Sequence, residues 1–319
     1  MRHVSIAAAA ALLLALSPAP AAAQFPIPPV QAAEPGPEGR RVTDDGLIAN
    51  YFPADAPGPA ILLLGGSEGG LTEGGVRTAE ALRAEGFSVL QLSYFRAPGQ
   101  SSRLEHVPLE YFGTALAWLA RQPEVDGGRI GILGGSKGAE AALLVAVRHP
   151  VKAVVAGMPS SVAWPGIVWE GMDGAIGSSW SEGGRPLPHL PYGRPEAATT
   201  IGAVYEAGLA RLGDHPDAAI PVERIAAPVL LVCGEADTLW PACPMARQLV
   251  DRARAHGRPD VRLLAYENAG HAVYGRPVPE DDPRLPGLAA LGGTPEGNNA
   301  ARADGWPRIL AFLKEALGK

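Results

Sequence analysis

Six short apolar runs separated by amphipathic stretches constrain this 319-residue chain more than any single residue does. Residues 61–64 (ILLL), 87–92 (FSVLQL), 129–133 (RIGIL), 151–156 (VKAVVA), 228–233 (PVLLVC) and 261–266 (VRLLAY) are mostly apolar at odd and even positions alike. Strands buried on both faces of a parallel sheet have this pattern. Between the runs, residues 72–85, 109–120, 137–148, 244–255 and 306–317 carry apolar side chains at helical spacing. Such alternation predicts an α/β architecture with a mostly parallel central sheet and helices on both faces. The length suits one large domain over residues 41–319. A hydrophobic content of 47% against 19% charged residues can fill its core.

The alternation fails once. Residues 158–225 contain no clean strand, many glycines and prolines, and Trp164, Trp169 and Trp180. An insertion of that length in an α/β domain predicts a functional cap. Residues 24–40, rich in Pro, Ala and Gly, form a leader without a pattern of their own. Ahead of them, MRHVSIAAAAALLLALSPAPAAAQ has a basic start, an apolar stretch and small residues at Ala21–Ala23. This predicts a signal peptide over residues 1–23, cleaved near Ala23, and a secreted or periplasmic protein. The apolar stretch is too short to span a bilayer, and no later one is longer. A net charge of −6 with no basic block argues against nucleic acid as a partner. Oligomeric state leaves no trace in the sequence. Two cysteines, Cys233 and Cys243, stand ten apart, and spacing alone leaves their pairing open.

The third apolar run ends in Gly134-Gly135-Ser136-Lys137-Gly138, followed by an alanine-rich helical pattern. Gly-x-Ser-x-Gly between strand and helix is the signature of a nucleophile elbow, a tight turn that projects Ser136 from the carboxyl edge of the sheet. A phosphate loop is excluded, because the order Gly-x4-Gly-Lys-Ser/Thr is missing. A nucleophilic serine needs a base, and the base needs an orienting carboxylate. The loop after residues 228–233 reads GEADTLWP and supplies Glu235 and Asp237; the loop after residues 261–266 reads ENAGHAVY and supplies His271. Asp237 lies further past its strand, where the loop can turn back, and is the expected acid. Ser136, Asp237 and His271 then follow in the chain order of this hydrolase class. The backbone N–H of Lys137 and that of Ser67, in the loop GGSEGG, are the expected oxyanion donors, with Glu68 the second choice in that loop. No cluster of His, Asp and Glu has metal-ligand spacing, and the chemistry asks for no cofactor.

The segments LLLGGSEGGL, GFSVLQLSYFRAPG, VPLEYFGTALAWLARQPEVDGGRIGILGGSKGAEAALL, GEADTLWP, AGH and GGTPEGNNAARADGWPRILAFL together resemble the catalytic domain of acyl-CoA thioesterases and bile acid-CoA:amino acid N-acyltransferases. The resemblance runs from about Asp45 to the C-terminus. It implies an α/β-hydrolase fold, a cap inserted after the strand that follows the nucleophile helix, and acyl transfer through a covalent acyl-enzyme. It implies roles for Ser136, Asp237 and His271 as the triad, with serine rather than cysteine tilting the chain toward hydrolysis. Intracellular members carry a β-sandwich domain ahead of this one, where this chain has the leader. An exported enzyme would also be removed from cytosolic coenzyme A. The expected function is therefore cleavage of small-molecule carboxylic thioesters or esters. Transfer of the acyl group to an amine or alcohol is the alternative, and a non-catalytic binding protein on the same scaffold is a third reading. Glu68, Trp164 and Trp180 are the candidates for the substrate pocket.

Overall fold

In a computed structural model, residues 29–169, 176–194, 200–258 and 260–318 are described. Residues 1–23, where a signal peptide is expected, lie outside them. The chain enters through β1 (Arg40–Val42), β2 (Ile48–Phe52) and β3 (Gly58–Leu64), then α1 (Glu73–Ala84), β4 (Ser88–Ser93) and the two-residue β5 (Val107–Pro108). Next come α2 (Leu109–Ala120), β6 (Val125–Gly135), α3 (Lys137–Ala146) and β7 (Ala153–Gly157). The insertion holds β8 (Trp180–Glu182), β9 (Arg185–Pro186) and α4 (Ile201–Leu209). The chain then returns through β10 (Val229–Gly234), α5 (Ala242–Ala255), β11 (Val261–Tyr266) and α6 (Pro295–Leu317).

Eight strands form one sheet in the order β1-β2-β4-β3-β6-β7-β10-β11. From β4 to β11 every neighbouring pair is parallel, while β1 and β2 run antiparallel at one edge. This is the α/β-hydrolase arrangement. Because β3, β7, β10 and the second half of β6, from Ile130 to Gly134, are covered on both faces, their residues are buried, which is why they read as apolar runs; the first half of β6 is largely exposed. The most enclosed helix is α3, with every residue buried. It has no solvent face, so its alanines let it pack against β6 and β7, and its two charged residues must find partners inside.

Four features depart from the sequence pattern. The edge strands β1 and β2 were not marked by apolar runs. Helix α6 starts at Pro295, a full eleven residues before the apolar periodicity at Trp306, and is capped by the Thr294 hydroxyl, which accepts from Gly297 N at 2.9 Å. Part of the leader is docked: Ala33 N donates to Leu71 O at 2.8 Å, Leu71 N to Gln31 O at 2.9 Å, and Asn50 Nδ2 to Ala33 O at 2.9 Å. Finally, the insertion does contain strands, since β8 pairs with β5 and β9 in a second, three-stranded sheet. Cys233 and Cys243 are joined by a disulfide. Among the described residues no helix is long and apolar enough to cross a membrane.

Candidate active site

Ser136 occupies the one-residue turn between β6 and α3 with φ 56° and ψ −122°, a conformation an L-residue holds only under constraint. The flanking glycines are required by contact. A Cβ on Gly134 would lie 2.2 Å from Gly138 O, and one on Gly138 would lie 2.3 Å from Gly65 O. The turn is pinned by Ser136 N, which donates to Gly157 O of β7 at 2.9 Å. Strain here has a structural effect: it lifts the hydroxyl clear of the sheet at the N-terminus of α3, where backbone N–H groups converge.

His271 and Asp237 reach the same edge from neighbouring strands. Asp237 follows β10 and His271 follows β11, and the two loops are stitched together by Asp237 and Ala269, which bridge to Gly292 and Gly293. His271 Nδ1 lies 2.7 Å from Asp237 Oδ2, and His271 Nε2 lies 3.0 Å from Ser136 Oγ. The other Asp237 oxygen accepts from Leu239 N at 2.9 Å and Trp240 N at 3.3 Å, so the carboxylate cannot swing away. All three side chains are nearly buried, Ser136 at 9% and His271 at 8% exposure. Glu235 points elsewhere and pairs with Arg247 at the surface. Sequence reading missed Asn298, fully buried in the first turns of α6. Its Oδ1 accepts from Gly270 N at 2.9 Å, and its Nδ2 donates to Gly292 O at 3.0 Å, which fixes the histidine loop from below.

A cavity of about 430 Å3 opens on Ser136 and His271. The loop after β3 forms one wall, with Gly65, Gly66, Ser67 and Glu68. Met158, Trp169, Leu239, Tyr274 and Leu291 supply apolar surface. Glu68 thus lines the cavity, and its Oε1 accepts from Gly66 N at 3.0 Å. Tyr94 anchors the loop by donating to Gly65 O at 2.7 Å; burial, with Glu68 and Glu140 nearby, pushes its hydroxyl well above the usual phenol range. The Tyr274 hydroxyl is buried without a hydrogen-bond partner among the described residues. Burial raises its pKa far above a free phenol's.

Two of the expected pocket residues are not in the pocket. Trp164 and Trp180 are 0% exposed and do not line the cavity. Their large rings pack in the core under the insertion, and their polar atoms are spent there. Trp180 Nε1 donates to Glu140 at 2.6 Å, and Trp164 Nε1 to Ser160 at 2.9 Å. The third tryptophan, Trp169, lines the cavity instead, and its Nε1 donates to Ser67 O at 3.0 Å. No spacing in the sequence separates these three. Among the described residues no group of three His, Cys, Asp or Glu is gathered as a metal site would need.

Residues 107–319 match the family model described as BAAT / Acyl-CoA thioester hydrolase C terminal. The mitochondrial acyl-coenzyme A thioesterase 2 of Mus musculus is 30% identical over 280 residues, covering 83% of this chain and 57% of that protein. The chain therefore spans rather more than half the length of this relative. Among solved structures, an esterase of Pyrococcus furiosus superposes with a TM-score of 0.56 at 18% identity, covering 91% of this chain and 99% of that one. The protein DcsB, solved with a substrate analogue, gives a TM-score of 0.56 at 17% identity, covering 88% and 100%. At that identity these two likenesses speak for the fold.

Proposed function

The chain belongs to the BAAT / acyl-CoA thioester hydrolase C-terminal family, and from that premise we propose that it is a serine hydrolase cleaving carboxylic thioesters or oxygen esters. One observation carries the reading. A continuous hydrogen-bonded line runs from Asp237 through His271 to a serine held at a strained turn, with a cavity above it.

In the proposed reaction His271 Nε2 takes the Ser136 proton as Oγ attacks the carbonyl carbon. Asp237 holds the imidazole with Nε2 free to accept and stabilises the imidazolium that forms. The carbonyl oxygen gains negative charge, and the backbone N–H groups of Lys137 and Ser67 are the donors assigned to it. His271 then protonates the departing thiolate or alkoxide, leaving the acyl group on Ser136. Water enters, loses a proton to the same nitrogen, and the acid leaves with Ser136 restored.

The test is labelling and turnover on one preparation. A fluorophosphonate is expected to react stoichiometrically, with the peptide map placing it on Ser136. Hydrolysis of p-nitrophenyl esters or acyl thioesters is expected to fall by roughly three or more powers of ten in Ser136→Ala. A label on another serine, or an active Ser136→Ala, refutes the assignment.

Export is part of the same proposal. Residues 1–23 are read as a signal peptide, supported by the basic start, the apolar stretch and Ala21–Ala23. A disulfide suited to an oxidising compartment adds support. Intact-mass analysis of material from a secreting host is expected to give a chain beginning at Gln24. A full-length cytosolic product would overturn it.

A further inference from the structure

Among the described residues that line the cavity, Glu68 is the one Asp, Glu, Lys or Arg. Glu68 is half-buried in the wall beside the nucleophile. A Cβ placed on Gly66 would lie 2.7 Å from Glu68 Oε2 and 3.3 Å from Ser136 Cβ, so the carboxylate oxygen and the serine Cβ are at most about 6 Å apart. Among the described residues only Oε1 is engaged, by Gly66 N. Among the described residues neither oxygen of Glu68 has a cationic partner, unlike Glu223 with Arg252 or Glu85 with Lys314. No lysine or arginine lines the cavity among the described residues. The cation nearest in sequence to the nucleophile, Lys137, is turned into the core, 1% exposed and 2.7 Å from Glu140.

Resting on the serine-hydrolase reading above, we propose that Glu68 is a specificity-determining residue. Its carboxylate makes the cavity accept substrates whose groups next to the scissile carbonyl are neutral or cationic, and reject those with a carboxylate there. The physical reason is Coulombic. An anionic substituent entering a partly desolvated site a few ångströms from an unpaired carboxylate meets repulsion that water screens poorly, whereas an ammonium or a hydrogen-bond donor gains a partner. The phosphates of a coenzyme A leaving group sit far along a flexible arm and lie beyond this effect. The selection therefore acts on the acyl group and on the first atoms of the leaving group.

The experiment uses thioesters matched in size on the mature protein. One set joins butyrate to thiocholine, N-acetylcysteamine or 3-mercaptopropionate, giving cationic, neutral and anionic leaving groups. The other joins butyrate or succinate to N-acetylcysteamine, which varies the acyl charge. The readout is the ratio of kcat/KM for each charged thioester to its neutral partner. In Glu68→Gln, whose side-chain oxygen can still accept from Gly66 N, the ratio for anions is expected to rise roughly five- to tenfold in at least one set. Glu68→Asp retains the charge and is expected to keep the discrimination. Glu68→Lys is expected to invert it. Ratios unchanged within a factor of two in both sets, with Glu68→Gln melting as wild type does, would overturn the proposal and leave Glu68 a turn-holding residue. Ser136→Ala run on the neutral thioester separates the two readings. Residual turnover there would strike the serine assignment, while the charge ratios would still report on Glu68.

Discussion

Lys137 and Glu140 form an ion pair 2.7 Å long with side chains 1% and 0% exposed, immediately behind the turn that holds Ser136. Such a pair is costly to bury, and its attraction alone does not repay the desolvation. Extra hydrogen bonds offset part of that cost. The second oxygen of Glu140 accepts from Trp180 Nε1 at 2.6 Å and from Trp164 N at 3.0 Å, and the Lys137 ammonium lies 5.4 Å from the centre of the Trp180 ring. The insertion is thereby fastened to α3 through one carboxylate.

Breaking that fastening is the first prediction. Glu140→Gln leaves an uncompensated ammonium inside α3 and is expected to cost about 3–5 kcal/mol in urea unfolding. The pH dependence follows from Lys137. Burial already pulls its pKa below the ordinary lysine value, while Glu140 opposes the shift. A lowered pKa means the unfolded chain binds the proton more readily, so the penalty is present below the folded pKa and fades as pH rises toward 10.5. Without Glu140 the shift deepens. The stability gap between variant and wild type is therefore expected to narrow between pH 7 and pH 9.5, and a gap that widens would contradict this account.

The second prediction separates two neighbouring acids. Asp237→Asn keeps a side chain able to stay among Leu239 N and Trp240 N but no longer holds His271 in the useful tautomer. A loss of roughly 10^3–10^4 in kcat with a near-native melting temperature is expected. Glu235→Gln removes only a surface pair with Arg247, half exposed, and is expected to change kcat less than about twofold. The opposite result would reassign the acid.

How far the sequence could carry this depends on which physical signal each part leaves. Strands β3, β7, β10 and the second half of β6 are buried on both faces and announce themselves as apolar runs, and the Gly134–Gly138 turn is legible because close contact forbids side chains at its two outer glycines. Chain order brought Asp237 and His271 to the sheet edge that holds Ser136. By contrast, β1 is a three-residue edge strand, Arg40–Val42, with one buried position, which leaves no periodicity to find. The first half of α6, PEGNNAARADG, is polar because it packs through Asn298 and small residues, so helical spacing appears only from Trp306. The tryptophans failed for a different reason. A large indole suits either a core or a pocket, and only tertiary packing sends Trp164 and Trp180 inward and Trp169 to the cavity.

The disulfide yields the third prediction. It closes a loop between the end of β10 and the start of α5, and Asp237 lies inside that loop. Removing it by Cys233→Ala with Cys243→Ala is expected to cost about 2–3 kcal/mol by the loop-closure estimate for ten residues. Because the released segment carries Asp237, the proposed triad acid, kcat is expected to drop as well. Unaltered melting and turnover in the double variant would show that the loop is held by its hydrogen bonds alone.

Acid sensitivity gives a fourth. Where the insertion rejoins the sheet, Glu223 accepts from Arg252 Nε at 2.6 Å and Nη2 at 2.8 Å. Those bonds hold its carboxyl down to about 2. The stabilisation is fully present above the unfolded value near 4.5 and is lost as pH falls toward about 2. Since Arg252 is 37% exposed, solvent screening limits its size to about 1 kcal/mol. Glu223→Gln is expected to destabilise the protein at pH 7 by that amount and to match wild type near pH 2. An equal deficit at both pH values would mean the glutamate acts by packing.

The last prediction concerns how the cavity measures an acyl chain. Trp169 lines the cavity and ties itself to the loop after β3 through Ser67 O, while Met158, Leu239 and Leu291 complete an apolar lining. Each methylene buried there contributes up to about 0.8 kcal/mol, so kcat/KM is expected to climb severalfold per two carbons until the space is filled. Trp169→Ala is expected to flatten that climb by removing the wall against which the chain lies. Trp164→Ala and Trp180→Ala are expected to behave differently. They should cost about 3–5 kcal/mol of stability, because each leaves a void in the core. Trp180→Ala also strips a donor from Glu140, and Trp164→Ala strips one from Ser160. In both variants the slope of the chain-length profile should survive wherever the protein remains folded. A flat profile in the wild type would mean that the substrate is small. A slope lost in Trp180→Ala but kept in Trp169→Ala would mean that the buried core of the insertion, and not the Trp169 wall, senses the chain.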